Sequence, residues 1–338
     1  MTALMQPRRE CRCAPRIHSC DTPLRLPTQI IYWFGGNSSS FRRVFRRHRG
    51  AGQRYELSGG VPASIIGRLD PTNNDGPRVE NLFQVILLGI IEGVTEFLPI
   101  SSTGHLLIAQ HWLGRRSDLF NVAIQAGAIL AVVVIYWRRL WDMTLHFSKP
   151  ENRDYVYKLA ASFLITVVGG FTAKKLGLEL PDTVAPIAWA LILGGGAIFA
   201  IEAYAARQPE SDKLTWRVAF WVGIGQIIAA VFPGTSRSAA TIFAAMLAGM
   251  TSRPAAAEFA FIVGIPTMFA ATAYEAFDLY ESGKMAEEHW GELAIGFVVS
   301  SVVAFIAVKW LLRYVQTHRF TPFAWYRIIF GVLLLAVV

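Results

Sequence analysis

Charged residues are scarce in this chain of 338 residues, where they make up 17% of the total while apolar residues make up 53%. This composition excludes a disordered chain and is too apolar for an ordinary soluble domain. Cysteine is scarcer still, because the chain has only Cys11, Cys13 and Cys20, all close to its N-terminus. Cys11 and Cys13 lack a second pair of ligands, so a Cys-x-Cys metal site is not supported.

Lysine is absent from residues 1–79, which nevertheless carry the whole formal net charge of +8 through 13 arginines against five acidic residues. Residues 80–338 hold 19 basic and 19 acidic residues and have no basic face, so a nucleic-acid binder is excluded. A basic arm and a transit peptide are alternatives for residues 1–79. We interpret this stretch as a disordered N-terminal extension or as sequence that is not translated, with initiation expected near Val79.

From residue 80 onward the sequence changes to long apolar runs separated by short polar loops. A hydrocarbon layer of ~30 Å requires about 20 apolar residues in a helix. Residues 80–338 are therefore predicted to form an all-α polytopic membrane domain. Six runs are long enough to be transmembrane helices: Phe120–Trp137, Tyr155–Ala173, Val184–Ala205, Ala257–Phe277, Leu293–Leu312 and Phe323–Val338.

Two further apolar stretches are each interrupted by a proline and a polar turn, which predicts re-entrant helix–turn–helix hairpins. Irregular backbone at membrane depth is tolerated only where it is buried in protein or lines a cavity. The first hairpin joins Leu82–Leu98 to Leu106–Leu113 through Pro99, and the second joins Phe220–Phe232 to Ala239–Met250 through Pro233.

The two hairpins also form an internal repeat. An offset of 134 in residue number superposes four pairs: Gly89 on Gly223, Pro99 on Pro233, Ser101 on Thr235 and Ser102 on Ser236. We therefore divide the membrane domain into one repeat at about 80–205 and a second at about 214–338.

Loop charges predict the orientation of these repeats. Loops 138–154 and 206–217 are basic, as is the stretch after Leu312 with Arg313, Arg319 and Arg327, whereas loop 278–292 is acidic. Positive-inside bias places the three basic regions in the cytoplasm and the acidic loop outside. This is consistent only if the first hairpin enters from outside and the second from inside, which is an inverted-topology arrangement.

Three charged residues are predicted at bilayer depth. Glu92 and Glu96 are four residues apart and share one helix face, and Arg237 lies in the second turn. Each costs roughly 2.5–3.5 kcal/mol on insertion scales. A structural ion pair between the hairpins is the simpler alternative, but ionisable groups in membranes usually face a cavity or pathway. The two carboxylates suit a hard divalent cation.

The turn after Pro99 presents three hydroxyl groups, from Ser101, Ser102 and Thr103. The N–H groups at the start of the following half-helix favour an anion. His105 lies one turn beyond Ser102, which predicts a nucleophile–base pair. The alternative is that the hydroxyls only cap the helix, which leaves His105 unexplained.

The second turn flanks Arg237 with Ser236 and Ser238, an arrangement that suits bidentate phosphate binding. Gln125 lies inside a predicted span, where it lines the cavity or packs with a buried hydrogen bond. Glu202 lies near a helix end, where it reaches water or pairs locally. Hydroxyls, a histidine, an arginine and paired carboxylates together predict a phosphoryl-transfer site.

The stretches EGVTEFLPISSTGH (92–105) and PGTSRS (233–238) resemble the two signature motifs of the bacterial undecaprenyl-diphosphatase family, also called the bacitracin-resistance protein family. Ala239 stands where the second motif usually has glycine. The resemblance spans residues 80–338 in order. It also includes three further stretches: QAGAILAVVVIYWRRL (125–140), AEFAFIVGIPTMFAATA (257–273) and FTPFAWYR (320–327).

This resemblance implies an enzyme of the bacterial inner membrane with interleaved inverted repeats and a site open to the periplasm. It implies removal of the terminal phosphate of undecaprenyl diphosphate, which regenerates the lipid carrier of peptidoglycan synthesis with the aid of Mg²⁺ or Ca²⁺. The expected partners are the polyprenyl diphosphate and the bilayer, and bacitracin would compete for the substrate. The oligomeric state stays open, with a homodimer as one alternative.

The resemblance also implies roles for residues by their position in the motifs. Three groups follow: a metal or proton pair, Glu92 and Glu96; a nucleophile–base pair, Ser102 and His105; and phosphate contacts from Ser101, Thr103, Ser236, Arg237 and Ser238. The attacking group is left open between Ser102, His105 and an activated water.

A membrane transporter or polyprenyl-phosphate flippase is the rival class, because inverted repeats with broken helices at the midplane are a common transporter plan. Such a protein would bind an anionic head group without cleaving it. The hydroxyl–histidine pair beside two carboxylates exceeds what binding alone requires.

We predict that His105→Ala and Arg237→Ala each reduce phosphate release from a polyprenyl diphosphate by about a hundredfold or more. The measurement is phosphate release by the purified protein in detergent, with unchanged helical circular dichroism as the control for folding. Near-normal turnover in either variant would contradict the role assigned to that residue.

Overall fold

A computed structural model describes residues 78–178, 183–283, 285 and 288–337 of the chain. Residues 1–77 lie outside this range, so the interpretation of the N-terminal stretch stays a prediction. The described residues form helices and no strand. The helices are α1 (Arg78–Thr95), α2 (Ser102–Leu113), α3 (Asp118–Ile135), α4 (Trp137–Leu145), α5 (Pro150–Lys175), α6 (Val184–Ala205), α7 (Trp216–Val231), α8 (Arg237–Leu247), α9 (Arg253–Glu281), α10 (Trp290–Tyr314) and α11 (Thr321–Val337).

Five of these helices are long and apolar enough to cross a membrane: α3, α5, α6, α9 and α10. They contain four of the six predicted spans and overlap most of a fifth, so the described part of the chain is helical and polytopic, as expected of a membrane protein. The sixth predicted span corresponds to α11, which at 17 residues is shorter than the other five. The first span ends two residues earlier than predicted, because the helix breaks at Tyr136 before α4 begins.

The helices α3 and α9 form the centre of the fold. Their most apolar windows are 72% and 61% buried, whereas those of α5, α6 and α10 are 28% buried and present apolar side chains outward. Helix α10 packs against α3 and α1, and α11 packs against α6. Helix α7 packs against α5 and α8, so each broken segment is supported by a long helix.

Helix contacts repeat at the offset found in the sequence. A Cβ at Gly89 in α1 would lie 3.1 Å from Val299 in α10, and one at Gly223 in α7 would lie 3.0 Å from Ile165 in α5. Adding 134 to 89 and to 165 gives 223 and 299, so the repeat relates the two contacts to each other. Because each hairpin packs on a helix of the other repeat, the two repeats interlock.

The helices α6 and α11 repeat their contacts in the same way, at a slightly larger offset. The Cβ position of Gly195 lies 2.7 Å from Ile328, and that of Gly331 lies 2.8 Å from Ile192. Adding 136 to 195 and to 192 gives 331 and 328. The repeat therefore exchanges α6 with α11, and each of the two contacts is the equivalent of the other.

Glu202 forms a buried contact that joins three distant segments, rather than reaching water or pairing locally. Its side chain is 3% exposed and accepts hydrogen bonds from the Nε and Nη2 atoms of Arg253 at 3.0 and 2.5 Å. It also accepts a 2.9 Å bond from the backbone N–H of Phe320. The carboxylate therefore ties the end of α6 to the start of α9 and to the segment before α11.

We predict that Glu202→Gln lowers the free energy of unfolding by about 3 kcal/mol, since it leaves a partly buried guanidinium without its counter-charge. Thermal unfolding in detergent measures this as a lower Tm. Glu281→Gln, at an exposed position at the other end of α9, is the control and should change stability by less than about 0.5 kcal/mol. Equal Tm values for the two variants would show that the ion pair contributes nothing.

Candidate active site

The first helices of the two hairpins end at Thr95 and Val231, before Pro99 and Pro233, and each hairpin resumes as a half-helix capped by a strained serine. Ser101 caps α2 with φ 73° and accepts a hydrogen bond from the N–H of Gly104, and Ser236 caps α8 with φ 70° and accepts one from Ala239. They are the only non-glycine residues of the described chain with positive φ. Such backbone costs on the order of 1–3 kcal/mol per residue and is concentrated at functional sites.

The two caps correct the predicted register of the repeat. Ser101 is equivalent to Ser236 rather than to Thr235, so the offset in residue number grows from 134 to 135 after the prolines. The physical cause is one additional residue in the second turn. Ser102 consequently matches Arg237, and the first helical residue is a hydroxyl in one repeat and a guanidinium in the other.

The Glu96 carboxylate joins the two turns. Its Oε1 atom accepts a 2.5 Å hydrogen bond from Nη2 of Arg237, and its Oε2 atom accepts a 2.6 Å bond from the hydroxyl of Ser102. Ser238 adds a second link, because its hydroxyl donates to the backbone carbonyl of Leu98 at 3.0 Å. The half-helix N-termini of α2 and α8 therefore converge on one carboxylate.

A small polar cavity of about 50 Å³ lies where the two turns meet. Six residues predicted for the site line it, whereas Glu92, Ser101, His105 and Ser238 are not among the lining residues that the structure describes. The lining residues are Glu96, Ser102, Thr103, Gln125, Ala229, Gly234, Ser236, Arg237 and Met268. Gln125 therefore lines the cavity, which is one of the two alternatives considered for it.

Ser101, Ser238 and His105 are not among the described residues that line the cavity. Ser101 is 1% exposed and acts as a helix cap. Capping was the alternative considered for the hydroxyl groups of this turn. Ser238 is buried and bonds Leu98 and, at 3.0 Å, Ser236. Both residues shape the turns from behind.

His105 is not paired with Ser102, in contrast to the predicted nucleophile–base pair. Its Nδ1 atom lies 2.7 Å from the carbonyl oxygen of Ser101, and its Nε2 atom lies 2.6 Å from the hydroxyl of Tyr326. Since a carbonyl only accepts, Nδ1 carries the proton and Nε2 accepts from Tyr326. The ring also stacks on Phe330 at 4.5 Å, so both nitrogens are engaged away from the Ser102 hydroxyl.

Glu92 lies behind Glu96 and is fully buried. No contact of its carboxylate oxygens meets the geometric limits of a hydrogen bond in the described part of the chain, and the polar side chain that acts on it is the Glu96 carboxyl. Its equivalent in the second repeat, Gln226, is equally buried but bonds Thr166 at 2.8 Å and Thr267 at 3.3 Å. An amide therefore fits this position in the second repeat with two hydrogen bonds, whereas the first repeat places two carboxyl groups, Glu92 and Glu96, next to each other.

Arg327 is the residue that sequence reasoning assigned wrongly, as a charge of a cytoplasmic loop. It is fully buried in α11, and none of the ion pairs among the described residues includes it. An arginine inside an otherwise apolar run was the available signal. Its guanidinium donates to carbonyl oxygens in both turns and in α6: Pro99 (3.2 Å), Gly234 (3.1 Å), Thr235 (2.9 Å), Ala190 (3.1 Å) and Leu191 (3.4 Å).

We predict that Arg327→Lys reduces turnover of a polyprenyl diphosphate by about a hundredfold, because one ammonium cannot reach five carbonyls and the turns shift. Phosphate release per molecule of purified protein is the measurement. Arg313→Lys, at an exposed position of α10, is the control and should keep full turnover. Equal turnover of the two variants would exclude a positioning role for the guanidinium.

Comparisons with known proteins agree with the motifs. The family described as Bacitracin resistance protein BacA matches residues 85–333. A protein of Rhizobium etli named undecaprenyl-diphosphatase is 64% identical over 249 residues, which cover 74% of this chain and 94% of that protein. Proteins of the same name from Xylella fastidiosa and Xanthomonas oryzae are 55% and 53% identical, covering 75% and 76% of this chain and 97% of each protein. The chain belongs to the BacA bacitracin resistance protein family.

Proposed function

We propose that the chain hydrolyses undecaprenyl diphosphate to undecaprenyl phosphate and inorganic phosphate. The observation that carries this proposal is the Ser102–Glu96–Arg237 contact at the junction of two half-helix N-termini. It brings together a hydroxyl, a proton acceptor and a guanidinium, which are the groups that phosphoryl transfer requires. Relatives at up to 64% identity carry the name of this activity.

Arg237 is the expected phosphate clamp. Its Nη2 atom donates a hydrogen bond to Glu96 at 2.5 Å, and its Nη1 atom lies 3.4 Å from the carbonyl oxygen of Gly264. A diphosphate entering the cavity competes for this guanidinium, and the free N–H groups at the starts of α2 and α8 favour its charge. As Arg237 turns to the phosphate, the Glu96 carboxylate is left able to take a proton.

In the proposed reaction, the Ser102 hydroxyl oxygen forms a bond to the terminal phosphorus while its proton passes to Glu96. The bond from phosphorus to the bridging oxygen breaks, and polyprenyl phosphate leaves with the electron pair. Water then hydrolyses the phosphoserine and releases inorganic phosphate. A water held by Ser102 and Glu96 that attacks directly is the alternative. His105 has a positioning role, because its hydrogen bond to the Ser101 carbonyl fixes the turn.

A divalent cation, Mg²⁺ or Ca²⁺, fits beside Glu92. Its two carboxylate oxygens are the donors that hard cations prefer, and Glu96 is close enough to interact electrostatically. No cluster of three or more His, Cys, Asp or Glu side chains suited to a metal occurs among the described residues, so the diphosphate would supply further oxygens. When bound, the cation would supply positive charge to the phosphate oxygens.

We place the protein in the inner membrane with six spans, two re-entrant hairpins and inverted-topology repeats, and with the cavity facing the periplasm. The interlocked contacts, related by offsets of 134 and 136 in residue number, support the repeat, and the loop charges support the orientation. Bacitracin would compete for the same diphosphate lipid. A homodimer stays a prediction from the sequence.

We predict that Glu96→Gln lowers phosphate release from undecaprenyl diphosphate by about a hundredfold to a thousandfold, because the amide cannot accept the proton of Ser102. A chelator arm in the same assay tests the cation and should abolish release. Glu151→Gln, at an exposed position, is the control. A wild-type protein that binds the lipid and releases no phosphate with any divalent cation would instead be a transporter or flippase.

A further inference from the structure

A second cavity of the molecule is large and apolar. It is a groove of about 410 Å³ between α6, α7 and α8, within the range of roughly 300–1,000 Å³ that is typical of small-molecule sites. Its floor consists of small residues, including Gly194, Gly225 and Ala240. Trp221 and Ile228 lie on its rim and are 46% and 44% exposed, so the groove opens sideways toward the membrane.

The groove lies where the first repeat has aromatic rings. In the first repeat, His105 of α2 stacks on Phe330 of α11. At the offsets of 135 and 136 established above, their equivalents are Ala240 and Gly194, and both line the groove. The second repeat therefore has no ring stack here, because Ala240 carries only a methyl group and the Arg327 guanidinium occupies the side-chain position of Gly194.

The groove and the polar cavity share one wall, formed by the second turn and the end of α7. Thr235 lines the groove, whereas its neighbours Gly234 and Ser236 line the cavity. In the same way, Ile228 lines the groove, whereas its neighbour Ala229 lines the cavity. A chain that leaves the cavity beside α7 therefore meets the groove within about one helical turn.

We propose that this groove binds the isoprenoid tail of the diphosphate substrate, an inference that rests on the proposed function. Six of the nine residues that line the polar cavity have polar or charged side chains, which suit phosphate groups and not a hydrocarbon tail. The tail must leave the cavity into an apolar environment, and the groove begins on the other side of the same turn. Burial of its methylene groups there favours long-chain over short-chain substrates.

Arg217 at the far end of the groove suggests the competing occupant. An anionic phospholipid could place one acyl chain in the groove and its phosphate on this guanidinium. The continuity of the groove with the catalytic turn favours the substrate tail, because a bilayer lipid gives no reason for the groove to reach Thr235. If the substrate tail occupies the groove, filling the groove changes how KM depends on tail length. If a phospholipid occupies it, that dependence stays the same.

The test fills the groove from its exposed edge. Ala197 lines the groove on α6 and is exposed, so Ala197→Trp adds an indole without displacing the core. Ala200→Trp makes the same change on the same helix at an exposed position that is not among the described residues lining the groove. KM is measured for undecaprenyl diphosphate (C55) and dimethylallyl diphosphate (C5) in the same detergent micelles.

The expected result is a KM for the C55 substrate that rises about tenfold in Ala197→Trp, the effect of leaving roughly two methylene groups unburied. The KM for the C5 substrate, whose tail is too short to extend along the groove, should change less than about twofold, and Ala200→Trp should match the wild type for both. A tenfold change in affinity corresponds to about 1.4 kcal/mol.

Equal changes for both substrates, or an unchanged KM for the C55 substrate, would overturn the proposal. An unchanged KM together with loss of phosphatidylglycerol from Ala197→Trp in native mass spectrometry would assign the groove to a bilayer lipid instead. If the wild type releases phosphate from neither substrate, the proposed function itself fails, and the tail site is refuted with it.

Discussion

Backbone carbonyls at membrane depth have no water to bind, and two helices that break inside the protein leave several of them without helical partners. Arg327 supplies hydrogen-bond donors to both turns at once, because its guanidinium donates to carbonyl oxygens of each turn and of α6. A buried arginine without a carboxylate partner is costly unless its donors are satisfied. The five carbonyls satisfy them, so the cation and the broken helices stabilise each other.

Chemistry is divided unequally between two repeats that pack alike. The contacts of Gly89 and Gly223 are equivalent, yet one turn further along each helix Glu92 lies beside a second carboxyl group and Gln226 bonds two threonines. The first repeat supplies the carboxylates and the Ser102 hydroxyl, and the second supplies Arg237. Neither hairpin is a site by itself, and the interlocking of the repeats is what brings the two halves within hydrogen-bond distance.

The sequence predicted those features that depend on local pattern. Five spans follow from apolar run length, and the broken helices follow from Pro99 and Pro233, because these signals act over one segment. The partner of His105 could not be predicted, since Tyr326 is far away along the chain and reaches the ring only through helix packing. Arg327 was misassigned for a related reason: loop charge and buried charge look the same until the acceptors around the guanidinium are known.

The additional residue in the second turn leaves the order of residues at the half-helix unchanged. Gly234 in this turn has φ 88°, a conformation that suits glycine, and Arg237 occupies the position that Ser102 has in the first repeat. The extra residue lies before the cap, so Ser236 still begins the half-helix and Arg237 still follows it. The difference between Ser102 and Arg237 is therefore a substitution at equivalent positions, and the longer second turn changes only how the half-helix is approached.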